Sequence, residues 1–166
     1  MWDIRRIFRE LVDADRRRAI LISFFKHGDA TSRAVVMAQL SRVLHFREAT
    51  LRKLPVEKKA DLFASRIGAH EFDQYLDAAL MQYLTHDHEE MLGAFLDLWN
   101  IPHVKGSIES DDFKVPVEGQ VRDAVRQLES RYEKKDIVLY LAAAGLLMGG
   151  QWRDATWPVV DDLVKV

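Results

Sequence analysis

Apolar side chains recur three and four residues apart along most of this chain, the spacing of helices that bury one face. The clearest run is Phe72, Tyr75, Leu76, Ala79, Leu80, Tyr83 and Leu84, which leaves His70, Asp73, Gln74 and Asp77 on the opposite stripe. After Thr85 the pattern restarts as His88, Met91, Leu92, Phe95, Leu96 and Trp99. Two helices joined by so short a connection are expected to fold back as an antiparallel hairpin. Near the start, Ile4, Ile7, Phe8, Leu11, Ala14, Leu21, Ile22 and Phe25 share one face of a helix over residues 3–26. Asp15 and Arg18 would sit inside that face, either as an ion pair at its edge or because the helix breaks near Asp13 and restarts on an aspartate cap; the break is preferred. Gly28 then ends the segment.

A second helix is expected over residues 32–47, capped by Thr31 or Ser32, with Val35, Val36, Leu40, Val43 and Leu44 inward. Pro55 suits the first turn of a third helix reaching Gly68. Residues 118–134 turn Val121, Val125, Leu128 and Tyr132 to one side. Residues 137–148 are apolar nearly all round, with Ala142, Ala143, Ala144 and Gly145 in the middle, so they belong at the centre of a bundle. A short helix over residues 152–166 with Pro158 in its first turn closes the chain. Between them, residues 100–117 form the longest irregular stretch, either a surface crossover or a functional loop. No sustained alternation and no Asn-Gly or Asp-Gly turn argues for strands. The expected fold class is all-α: a single domain over residues 1–166, an irregular bundle of about seven or eight helices built from antiparallel hairpins. No fixed repeat supports a regular solenoid.

Composition narrows the chemistry. With 166 residues, 48% of them hydrophobic, the chain can bury roughly two-thirds of its unfolded surface and needs no metal or disulfide to fold. It contains no cysteine, which excludes disulfides, thiolate zinc sites, iron–sulfur clusters and a cysteine nucleophile. The longest uncharged run, residues 137–152, has an apolar part that stops at Gly149, short of the ~20 residues of a membrane-spanning helix. Arg16, Arg17 and Arg18 followed by an apolar run to Phe25 start like a secretory signal, but the run is too short and no cleavage site follows. A cytoplasmic location without membrane contact is the expectation.

Charge is unevenly distributed. Residues 1–66 carry 15 Lys+Arg against 8 Asp+Glu, a balance of +7; residues 67–113 carry Lys105 against ten acids, a balance of −9; the remainder sums to zero. Three readings follow: the regions pair within or between molecules, one charged face docks a protein, or the basic helices bind nucleic acid through Arg33, Arg42, Arg47, Arg52, Lys53, Lys58 and Lys59. The last is disfavoured by the slightly acidic total and the absence of a helix-turn-helix signature.

The densest set of ligand-type residues is His86, Asp87, His88, Glu89 and Glu90, with His70 and His103 as further candidates. At a helix start, residues two apart diverge, so His86 and His88 suit a metal poorly, and Asp87 or Thr85 reads as a helix cap with His88 at the core boundary. Glu-x-x-His, His-Glu-x-x-His, phosphate-binding glycine loops and nucleophile elbows are all missing. The aromatic set, including Trp99, Trp152 and Tyr140, reads as core or interface in preference to the lining of a ligand pocket between helices. No cofactor or metal is implied. The sequence favours a protein-interaction or adaptor module, self-associating or holding a protein partner through its charged surface and the loop 100–117. The alternative is a small-molecule binder or enzyme using His70, His86, His88, Glu89 and His103 between the 72–99 hairpin and that loop.

Overall fold

Aspartate caps set the first boundaries. The structure, a computed structural model describing residues 1–165, begins with α1 (Ile4–Glu10) and α2 (Ala14–His27), separated at Asp13. The Asp13 carboxylate accepts the Arg16 N–H at 2.9 Å, and Arg17 reaches back to the Phe8 carbonyl at 3.0 Å. The break therefore satisfies a free helix-end donor and keeps Asp15 and Arg18 out of the apolar face. α3 (Ala30–Leu44) is capped by Asp29, not Thr31 or Ser32: its carboxylate accepts the Ser32 N–H at 2.8 Å.

That cap titrates. Hydrogen bonds from Ser32, side chain first and backbone second, hold the Asp29 carboxyl below its ordinary value. A depressed folded-state value stabilises at neutral pH and loses that contribution as pH falls through the acid range below about 4. Asp29→Asn keeps a capping oxygen and removes the titration. Helical circular dichroism followed down in pH should therefore match wild type at neutrality and diverge only in the acid limb. Divergence at neutral pH would contradict this account.

The order continues with α4 (Glu48–Arg52), α5 (Val56–Ala64), a 3-10 turn at His70–Phe72, α6 (Asp73–Asp87), α7 (Glu89–Leu98), α8 (Glu118–Leu128), α9 (Lys134–Met148) and α10 (Gly150–Val164). Among the described residues 72% are helical, in ten α-helices and one 3-10 turn, and there is no strand. The count exceeds the expected seven or eight because of the Asp13 break and α4, whose five residues are too few to show a period; a Glu48–Arg52 ion pair spans it at 2.5 Å. Val35 was expected inward but is 41% exposed, and Met37 is buried beside Val36 and Leu40 instead. α8 stops six residues before the expected end at Lys134, and Tyr132 lies beyond it in a turn closed by its N–H to the Leu128 carbonyl at 3.0 Å. Pro158 sits in the middle of α10, not in its first turn, because that helix starts at Gly150.

Two compact units make up the chain, Met1–Ile7 with Leu84–Val166 and Phe8–Tyr83. The expected 72–99 hairpin is divided by this boundary. In the first unit α9 is buried from Asp136 to Gly145, as its all-round apolar sequence implies. α10 packs along it, α8 against α10, and α7 against α8. Phe95 lies 5.2 Å from both Trp99 and Tyr140, and Trp152 stands edge-on to Trp99 at 5.8 Å. Trp2 is also buried there, donating its Nε1–H to Asp161 at 2.9 Å. The second unit has a phenylalanine core: α2 packs on α5, and Phe24, Phe25, Phe63 and Phe72 meet at 5.2 to 6.2 Å. No described helix is long and apolar enough to cross a membrane.

Candidate functional site

The irregular stretch after α7 is pinned by backbone geometry. Val104 and Ser107 exchange two backbone hydrogen bonds at 2.9 and 3.0 Å around Lys105 and Gly106, both with positive φ (50° and 78°). That is the two-residue hairpin turn that needs left-handed backbone at both positions. It carries Lys-Gly where Asn-Gly is the usual signal, so the sequence bears no mark of the turn. Gly106 is required for a second reason: a Cβ there would meet the Glu89 carbonyl oxygen at 2.8 Å and Leu92 Cβ at 2.9 Å. The turn is thus pressed onto α7, and Phe113 rests against Trp152 at 6.2 Å further along the loop.

An open cleft of about 660 Å³ results, walled by α7, the turn and the end of α8. Of the expected site residues, Glu89 and His103 line it, together with Asp97, Lys105 and Arg131. His103 is the side chain that acid–base chemistry would need. The Gly106 N–H donates to its Nδ1 at 3.1 Å, which makes Nδ1 the lone-pair nitrogen. Nε2 then carries the proton and donates to the Asp97 carboxylate at 2.9 Å. A neutral imidazole bound this way has no lone pair left to take a substrate proton. His103 clamps the turn to α7.

The other candidates do not join it. His86 is exposed with Nδ1 2.8 Å from Asp87, and its side chain does not line the cleft. His88 occupies the N-cap position of α7, half-buried, with Nε2 3.8 Å from the buried Asp136 carboxylate. The expected cap, Asp87 or Thr85, is absent because α6 continues through Asp87. His70 belongs to the other unit, where it is exposed with Nδ1 2.8 Å from Asp73. Among the described residues no three His, Asp or Glu side chains lie close enough to hold a metal ion. Trp99, Trp152 and Tyr140 pack into the core and do not line the cleft.

The second unit carries a surface that the sequence reading did not single out. α3 ends at Leu44 on His45, a left-handed residue (φ 56°), and the Ser41 hydroxyl donates to the Phe46 carbonyl at 2.5 Å. This turn holds Phe46 outward, 52% exposed. The ring stands over a groove of about 430 Å³ lined by Leu51, Leu54, Leu62, Thr50, Lys58 and Asp61. Without a glycine after Leu44 the helix end left no mark in the sequence, and Phe46 was absorbed into a helix running to Arg47.

The charge blocks also look different once the chain is folded. The acidic residues Glu71, Asp73 and Asp77 lie in the same unit as the basic helices. That unit holds 13 Lys+Arg against 10 Asp+Glu, a balance of +3, and the other holds 11 against 16, a balance of −5. Polarity survives, but at much less than +7 against −9. Set beside known proteins, this chain matches no family model, no curated protein and no solved structure.

Proposed function

We propose that this chain is a protein-interaction module that holds a segment of another protein on the groove of residues 46–62. The observation that carries the reading is Phe46, a large apolar ring held in solvent by a left-handed helix end beside a leucine-lined groove. Exposed apolar patches next to concave apolar surface are where partners bury area, and aromatic residues are favoured at the centre of such contacts. The competing enzyme reading places chemistry in the α7–α8 cleft, where His103 has both ring nitrogens committed. Two copies meeting groove to groove would set like charges face to face, so the self-association expected from the sequence is not assigned to this surface. Arrangement of the helices as hairpins in one bundle, and a cytoplasmic location, remain parts of the same proposal.

A photo-crosslinking residue placed at position 54 should capture a partner that one placed at position 98 in the cleft does not. With that partner purified, Phe46→Glu should abolish binding and His103→Ala should retain it. Binding lost in His103→Ala and kept in Phe46→Glu would move the function to the cleft.

A further inference from the structure

We infer that the occupant of this groove is an acidic amphipathic helix, with bulky apolar side chains on one face and carboxylates beside them. The inference rests on the groove being the working surface. Its apolar half follows from shape: Phe46, Leu51, Leu54 and Leu62 offer room for a few bulky side chains and present no sheet edge, so a strand has nothing to pair with. A helix with anchors at i, i+3 or i+4, and i+7 fits the mode in which apolar grooves are filled.

The acidic half follows from which charges are already matched. Two charged side chains line the groove, Lys58 and Asp61. Asp61 is engaged by Arg18 at 3.1 Å, so its charge is answered from within the unit. Lys58 has no carboxylate within ion-pair distance among the described residues, and the same holds for the exposed Arg42, Arg47 and Lys53 of the surrounding stretch. Arg52 is held by Glu48. Across groove and rim an incoming carboxylate thus meets four unmatched cations, Arg42, Arg47, Lys53 and Lys58, whereas an incoming ammonium meets Asp61, which already has a partner, and on the rim the single exposed carboxylate of Glu57. Complementarity of this kind selects partners and speeds encounter more than it adds affinity, so the contact should be weak, fast and salt-sensitive. A phosphate backbone would use the same cations but leave the leucine floor empty, which is why a peptide is preferred to nucleic acid.

Two labelled peptides test this on the full chain by fluorescence polarisation, with the same Leu and Phe anchors and either Glu or Lys at the remaining positions; a single-stranded oligothymidylate is the third probe. The Glu peptide should bind at about 10–100 µM, the Lys peptide about tenfold more weakly. Lys53→Glu with Lys58→Glu should invert that order, and Phe46→Ala should weaken the Glu peptide several-fold while leaving circular dichroism and the urea midpoint unchanged. Equal binding of both peptides, or tighter binding of the oligonucleotide, overturns the acidic-helix inference. If that binding still depends on Phe46, the groove reading stands without it. Absence of binding by all three probes brings down both.

Discussion

Replacement of Phe95 by alanine should cost about 3–5 kcal/mol of folding stability, the range for deleting a fully buried aromatic ring. Phe95 has no exposed surface and sits between Trp99 and Tyr140, each with its ring 5.2 Å away. Neither neighbour is free to collapse into the space. Trp99 is tied to the Gln120 carbonyl through Nε1 at 3.3 Å and abuts Trp152, while Tyr140 is carried on the central helix α9. Burial pushes the Tyr140 hydroxyl well above its ordinary value, so it stays neutral at any pH of interest and offers no charge to draw water into the gap. Urea unfolding should show a lower midpoint with an unchanged slope. The control is Phe46→Ala, a change of the same chemistry at an exposed site, which should stay within about 0.5 kcal/mol. Similar losses at both positions would mean that the burial assigned to them is wrong.

A second substitution tests the sign of an effect. Gly145 lies inside α9, where glycine is worse than alanine by about 1 kcal/mol on propensity alone. From the helix by itself, Gly145→Ala should stabilise. The neighbouring helix reverses that expectation. A Cβ at 145 would meet Trp157 at Nε1 and, at 2.5 Å, at Cδ1, and Thr156 Oγ1 at 2.7 Å. These groups cannot easily step aside: Trp157 donates Nε1–H to the Ala142 carbonyl at 3.3 Å, and Thr156, fully buried, donates to the Trp152 carbonyl at 2.9 Å. Overpacking at such sites costs about 1–3 kcal/mol, enough to cancel the propensity gain and leave a net loss. Gly145→Val should be worse again, and a Gly145→Ala chain more stable than wild type would refute the close approach of α9 and α10.

What could be read in advance sorts by physical cause. Periodicity finds helices whose burial is one-sided or complete, so α7 and α9 are visible as runs beginning at His88 and Ile137. It fails where burial is divided between faces, as at Val35, or where a helix is a single turn, as in α4. Caps that use aspartate are partly legible: Asp13 announces itself through the misplaced Asp15 and Arg18, whereas Asp29 is masked by Thr31 and Ser32, which are also good capping types. Left-handed residues outside glycine left no signal, which hid both His45 with its exposed Phe46 and the Lys105 half of the turn beneath His103. The histidine set illustrates a different limit. Proximity in sequence put His86 and His88 side by side, but one faces solvent and the other faces Asp136. Hydrogen-bond partners, not spacing, decide what a histidine can do, and those partners come from elsewhere in the fold. The charge blocks fail for the same reason, since fold boundaries do not follow blocks drawn along the chain.

All four tryptophans, Trp2, Trp99, Trp152 and Trp157, belong to the unit of residues 1–7 and 84–166, while the core of residues 8–83 is built from phenylalanine. The protein therefore carries an optical label on one half of its chain. Tryptophan emission, excited where tyrosine does not absorb, reports the unfolding of that half alone, and far-ultraviolet circular dichroism weighs every helix. Superimposed denaturation curves from the two signals would mean that the halves melt as one cooperative unit; separated curves would yield the stability of each without any engineered probe.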